Sequence, residues 1–153
     1  MKPALCVILY ILSSISVLAQ DTTFCVSIHK DKQPEKLVAA YDSIYTPLGS
    51  IKLPDSVSIG TAWYQNFRPA FLEHVKNANI EWDTTTSVWI DLCCSPSGKI
   101  ERVLYAARNL TDPNRELKFT KAIELFAKAY TFPISTQQRF SQCGSFKFMP
   151  EKK

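Results

Sequence analysis

Glycine is scarce in this chain, with four in 153 residues, and histidine scarcer, with two. So few glycines leave no phosphate-cradling loop and no dinucleotide fingerprint, which need several glycines at fixed spacing. A nucleophile elbow is missing as well. His29 and His74 stand far apart and no Cys-x-x-Cys pair exists, so the spacing of a zinc site is lacking. Dense runs of like charge are absent too. The net charge is +4, and Lys30, Lys32 and Lys36 are interrupted by Asp31 and Glu35. Nucleic-acid binding, which concentrates charge on one face, is therefore not expected. No clustered catalytic set assembles from these residues, and the expectation is a protein that is not an enzyme and uses no cofactor and no metal.

What remains is hydrophobic and aromatic. At 46% hydrophobic and 12% aromatic, 153 residues suffice for one compact core but not for two full domains. Residues 1–19 read as a cleaved signal peptide. Lys2 supplies a positive start, Ala4 to Val17 is nearly all apolar, and Val17-Leu18-Ala19 offers a small residue before Gln20. That apolar run is shorter than the roughly 20 residues of a spanning helix, so no membrane anchor is expected after cleavage. Leu5 before Cys6 does not fit a lipid-attachment motif. The remaining cysteines, Cys25, Cys93, Cys94 and Cys143, are even in number in a chain bound for an oxidising compartment, which favours two disulfides. Cys93 and Cys94 face opposite sides of a strand and should not bond to each other; burial as free thiols is the alternative.

Residues 20–65 read as an irregular extension. Phe24 to Ile28 alternates like a short strand, and Leu37, Val38, Tyr41 and Ile44 have helical spacing after Pro34. Pro47, Gly49, Pro54 and Gly60 then predict loops from about Thr46 to Thr61. Phe67, Phe71, His74, Val75 and Ala78 predict an amphipathic helix with Pro69 in its first turn, and His74 is expected to pack at the core rim. Val88, Ile90, Leu92 and Cys94 alternate with Trp89, Asp91 and Cys93 as a half-buried strand with Asp91 on its exposed side. Ser95-Pro96-Ser97-Gly98 makes a turn, and Ile100 to Ala106 returns as the second strand. Asp112-Pro113 starts a second helix, with Leu117, Ile123, Phe126, Ala127 and Tyr130 facing inward and Pro133 ending it. Phe140 to Phe148 alternates as a last strand with one aromatic face. Trp63, Tyr64, Trp82 and Trp89 are expected mainly in packing. The fold class is therefore α+β: a three-stranded antiparallel sheet, strand-strand-helix-strand, packed on one face by two helices.

Val88-Trp89-Ile90-Asp91-Leu92, the turn ending Ser97-Gly98, the helix closing at Tyr130-Thr131-Phe132-Pro133, and the strand Cys143 to Phe148 together resemble the TonB C-terminal domain family. Residues 66–150 carry the resemblance. The anchor, the proline-rich spacer and the Tyr-Pro pair ahead of the hairpin are lacking, so energy transduction is not implied. The resemblance implies a periplasmic or secreted protein-binding module of a Gram-negative bacterium. Its last strand would take a strand from an envelope or outer-membrane protein, with Arg139, Ser141, Cys143, Ser145 and Lys147 flanking the partner. Alternatively, Phe24 to Ile28 covers that edge. The same sheet places Cys93 beside Cys143 for a disulfide and leaves Cys94 to meet Cys25. Rival readings are a cystatin-like inhibitor or small-ligand carrier, and a small envelope hydrolase.

Overall fold

The computed structural model describes residues 24–150, so the signal-peptide reading of residues 1–19 lies outside the described residues. The elements are strand β1 (Cys25–Ser27), a 3-10 turn (Ile28–Lys30), helix α1 (Pro34–Asp42) and strand β2 (Thr46–Pro47). A second 3-10 turn (Leu48–Ser50), a π-helical stretch (Thr61–Phe67), helix α2 (Arg68–Asn77) and the hairpin β3 (Thr86–Cys94) and β4 (Ile100–Ala106) follow. Helix α3 (Pro113–Ala129) and strand β5 (Phe140–Phe148) are the last elements of the described residues. Among the described residues no helix is long and apolar enough to cross a membrane.

The three-stranded antiparallel sheet expected from the sequence is corrected to a five-stranded mixed sheet in the order β1-β4-β3-β5-β2, with three helices. Its centre is antiparallel: β3 pairs with β4 on one side and with β5 on the other. Both outer strands come from the stretch read as an irregular extension, and both run parallel to their neighbours, β1 along Val103 to Tyr105 and β2 along Phe140 to Ser141. β1 lies within Phe24 to Ile28, which alternates like a short strand, whereas β2 escaped the pattern because two residues are too short to show alternation.

The hairpin turn rests on Gly98, whose φ of +83° is open to glycine and strained for other residues. A Cβ there would also lie 2.1 Å from the Phe132 carbonyl oxygen. That closeness has a purpose, since Phe132 N–H donates to Gly98 O at 2.9 Å and ties the end of the α3 connection to the turn.

Helix α3 begins as expected: Asp112 Oδ1 accepts from the N–H groups of Asn114 and Arg115 at 2.8 and 3.0 Å, ahead of Pro113. Its inward stripe is shifted, however. Ile123, Phe126 and Ala127 are buried as expected, but Leu117 is 54% exposed, and Glu116, Phe119 and Ala122 take the other buried positions. The helix before the hairpin starts earlier than expected, because Ser58 Oγ accepts from Thr61 N–H at 3.1 Å and opens the π-helical stretch that runs directly into α2. Pro69 is thus internal to a continuous helix, placed where a wider turn precedes it; in a regular helix its ring would clash with the carbonyl four residues back.

One face of the sheet carries an aromatic core. Phe67 touches the rings of Trp63, Phe71, Phe126, Tyr130, Phe132 and Phe146, so the π-helical stretch, α2, α3 and β5 meet at one residue. His74 packs at the rim against Phe126, with ring centroids 5.3 Å apart. The opposite face, expected to lie open, is sheltered. Cys93 and Leu104 on it are fully buried, and Tyr45, after α1, donates its hydroxyl to Glu101 of β4 at 3.0 Å.

Candidate functional site

Strand β5 is the element the sequence singles out. The even residues Phe140, Phe146 and Phe148 are buried in the aromatic core, and Gly144 lies against Trp63. Odd residues turn their backbone groups away from β3: Thr46 N–H donates to Arg139 O at 3.2 Å, and the Arg68 guanidinium donates to Ser145 O at 2.9 Å. The outer edge is therefore defined by the backbone of residues 139, 141, 143, 145 and 147.

That edge divides into two parts. β2 lies against Phe140 and Ser141, and Ser141 is buried. Arg139 Nε donates to Glu101 Oε2 at 2.9 Å, which ties its side chain to β4. Beyond Ser141, Cys143, Ser145 and Lys147 are exposed, with β3 on one side and no strand of the described chain along their outer side. Of the five residues expected to flank a partner, three stand on the open part and two on the covered part. Phe24 to Ile28 does not cover this edge, because β1 pairs with β4 at the other side of the sheet.

The open part is not bare. Gln142 Nε2 donates to Cys143 O at 3.0 Å, and Arg68, besides holding Ser145 O, lies 5.0 Å over the Phe146 ring. Sequence reading missed both caps. Arg68 is remote in sequence from β5, and only the docking of α2 on the sheet brings it there.

The disulfide pairing is corrected. Cys25, Cys93, Cys94 and Cys143 are all free thiols. Cys93 faces Ser141 across the ladder, while Cys143 faces Asp91, so the two thiols are diagonal neighbours. Diagonal positions stand about 7–8 Å apart, beyond disulfide reach. Cys25 pairs with Val103 and Cys94 with Ile100, which separates them along β4. Burial pushes the Cys25 and Cys94 thiols up to about 12, and the Cys93 and Cys143 thiols are also raised, first by burial.

Asp91 departs from its expected exposed position. It is 7% exposed, its Oδ1 has no hydrogen-bond partner, and burial with the nearby Asp42 charge pushes its carboxyl up to about 7. Cys93 and Leu104 flank it on the sheltered face.

A second polar cluster joins β1 to α3. The buried Glu116 carboxylate accepts from Tyr105 Oη and Ser27 Oγ, both at 3.4 Å, and pairs with Lys30. His29 Nδ1 lies 3.1 Å from Ser27 Oγ and takes the Ala107 N–H at 3.3 Å. Serine, histidine and glutamate thus meet, though not in the hydrogen-bonded order of a nucleophile, its base and an orienting acid. The nitrogen facing Ser27 is shared with Ala107 N–H, and Glu116 is 3.9 Å from the other nitrogen, too far to orient it. Burial lowers the His29 pKa, which favours a neutral ring. The cluster ties β1 and the turn after it to β4 and α3.

A groove of about 750 Å³ opens between α1 and the start of β4, lined by Leu37, Tyr41, Tyr45, Lys99, Glu101 and Arg139 among others. Among the described residues no group of three or more His, Cys, Asp or Glu side chains is placed to hold a metal ion. No protein-family model, curated protein or solved structure matches this chain.

Proposed function

We propose that this chain is a non-enzymatic protein-binding module of TonB C-terminal type, acting in the periplasm or outside the cell after loss of residues 1–19. It binds a segment of an envelope or outer-membrane protein by strand addition to β5. The observation that supports this reading is that β2 occupies only two of the nine residues of β5. From Cys143 to Lys147 the outward backbone has no neighbouring strand, and an extended segment there completes the ladder through main-chain bonds.

Proline gives a direct test. At Ser145 it removes an N–H that points to solvent, which an edge strand tolerates, but which an added strand needs. A photo-crosslinking residue at position 147 of the secreted full chain is expected to join one discrete envelope protein, and Ser145→Pro is expected to abolish the adduct while circular dichroism stays unchanged. Persistence of the adduct in the Ser145→Pro chain, or an equal adduct from position 118 on the exposed face of α3, overturns the proposal.

A further inference from the structure

We infer that Arg68 and Gln142 cap the open edge of β5 and that the segment which displaces them carries a carboxylate for Arg68. This rests on the strand-addition reading and names the chemistry of its partner.

The edge presents its carbonyls at Cys143 and Ser145, and each is already engaged by a side chain. Gln142 Nε2 holds Cys143 O at 3.0 Å and Arg68 Nη1 holds Ser145 O at 2.9 Å. An incoming strand needs those same oxygens for its own N–H groups, so both caps must swing away. For the neutral Gln142 amide, water is an adequate replacement. Arg68 differs, because its bond to Ser145 O is charge-assisted and its guanidinium sits against the Phe146 ring. Among the described residues no carboxylate lies within ion-pair reach of Arg68, so the protein offers it no second acceptor of that kind.

A released guanidinium beside a newly formed strand pair is matched by a carboxylate on that strand, which it can grip through two parallel N–H donors. The geometry asks for one acidic side chain on the helix-facing side of the partner, near the residue opposite Ser145. Lys147, exposed two residues further on and on the other face, adds positive potential, and among the described residues no carboxylate pairs with it. The same charges argue against a second copy of this chain as occupant. Residues 142–148 contain no acid, so two β5 edges brought together would place Arg68 and Lys147 against their own kind.

The caps also make the edge selective. An uncharged strand would have to displace Arg68 with water alone to replace its charge-assisted bond, which discourages nonspecific pairing in the way charged side chains protect other sheet edges.

The test uses the full chain and three synthetic peptides of nine residues, alternating Thr and Val, with Glu, Gln or Lys at the centre. The Glu peptide is expected to bind roughly tenfold more tightly than the Gln peptide at low salt and the Lys peptide most weakly. Arg68→Gln is expected to erase the Glu preference and leave binding of the Gln peptide equal or tighter, because the cap is weakened. Amide exchange at Cys143, Ser145 and Lys147 separates the two levels of the argument. If the Glu and Gln peptides protect those amides equally, strand addition holds and the carboxylate inference fails. It fails also if the Glu preference survives Arg68→Gln. If no peptide protects them, strand addition itself fails and the inference falls with it.

Discussion

Gly144 of β5 lies directly under the indole of Trp63, so close that a Cβ on it would stand 2.2 Å from Trp63 Cζ2. Trp63 in turn stacks on Phe67, with ring centroids 4.7 Å apart. The π-helical stretch is thereby pressed flat onto the last strand, which brings α2 and its Arg68 to the sheet edge. Replacing Gly144 by alanine forces the indole off its seat, and overpacking of this kind costs about 1–3 kcal/mol. Urea unfolding of Gly144→Ala is expected to show that loss, and a midpoint equal to that of the unaltered chain would refute the close packing.

How much of this was legible follows from the length of each pattern. Val88 to Cys94, Ile100 to Ala106 and Phe140 to Phe148 are long enough to show period-two alternation, and Asp112-Pro113 marks a helix start by itself. Cys25–Ser27 shows its alternation faintly within Phe24 to Ile28 but not its parallel place beside β4, and Thr46–Pro47 is a strand only because β5 accepts it, which is a tertiary fact. Glu116 was invisible for a related reason: nothing in the sequence distinguishes it from a solvated first-turn glutamate, and its burial depends on β1 docking beside Tyr105. Whether the edge of β5 is open or covered was not legible at all: Cys143, Ser145 and Lys147 carry no signal of exposure along their outer side, and Arg139 and Ser141 are covered by chain segments that local pattern could not place there.

Glu116 holds that docking together. Removing its carboxylate leaves the Ser27 hydroxyl and Lys30 without their shared partner and takes one acceptor from Tyr105, which retains Thr120 at 2.7 Å. Glu116→Ala is expected to cost roughly 1–3 kcal/mol. The loss should be local. Val103 N–H, which donates to Phe24 O, should exchange faster than in the unaltered chain, while Ile90 at the sheet centre changes only with global stability. Equal acceleration at both amides would show that the cluster does not specifically latch β1.

The thiols differ in access. Cys143 is exposed, whereas Cys25, Cys93 and Cys94 are buried. A maleimide added to the native chain lacking residues 1–19, and with them Cys6, is expected to modify Cys143 alone, slowly because its thiol is held above the usual range, with the other three reacting only after unfolding. Peptide mapping without reductant should find no Cys93–Cys143 bond; finding one would contradict the diagonal register of β3 and β5.

Asp91 carries the clearest pH signature. Its carboxyl titrates at about 7 in the folded protein against an ordinary 3.8, raised by burial first and by Asp42 second. Between these values the folded state binds more protons than the unfolded one, so stability falls as pH rises from about 4 to about 7 and levels off above that. The full effect is up to about 4 kcal/mol. Asp83 and Asp112 act in the opposite sense at lower pH. Arg115 holds the first below its usual range, and the helix N–H groups of Arg115 and Asn114 the second, so their contributions are lost only as pH falls below about 4. The two windows do not overlap, which lets one variant isolate the buried group. Asp91→Asn is expected to abolish the fall of the urea midpoint between pH 4.5 and 8, leaving the rise contributed by His29, whose lowered pKa acts in the opposite sense, and to stabilise the chain at pH 8. If the variant keeps the unaltered slope, the proton sits elsewhere and the sheltered face does not enforce it on Asp91.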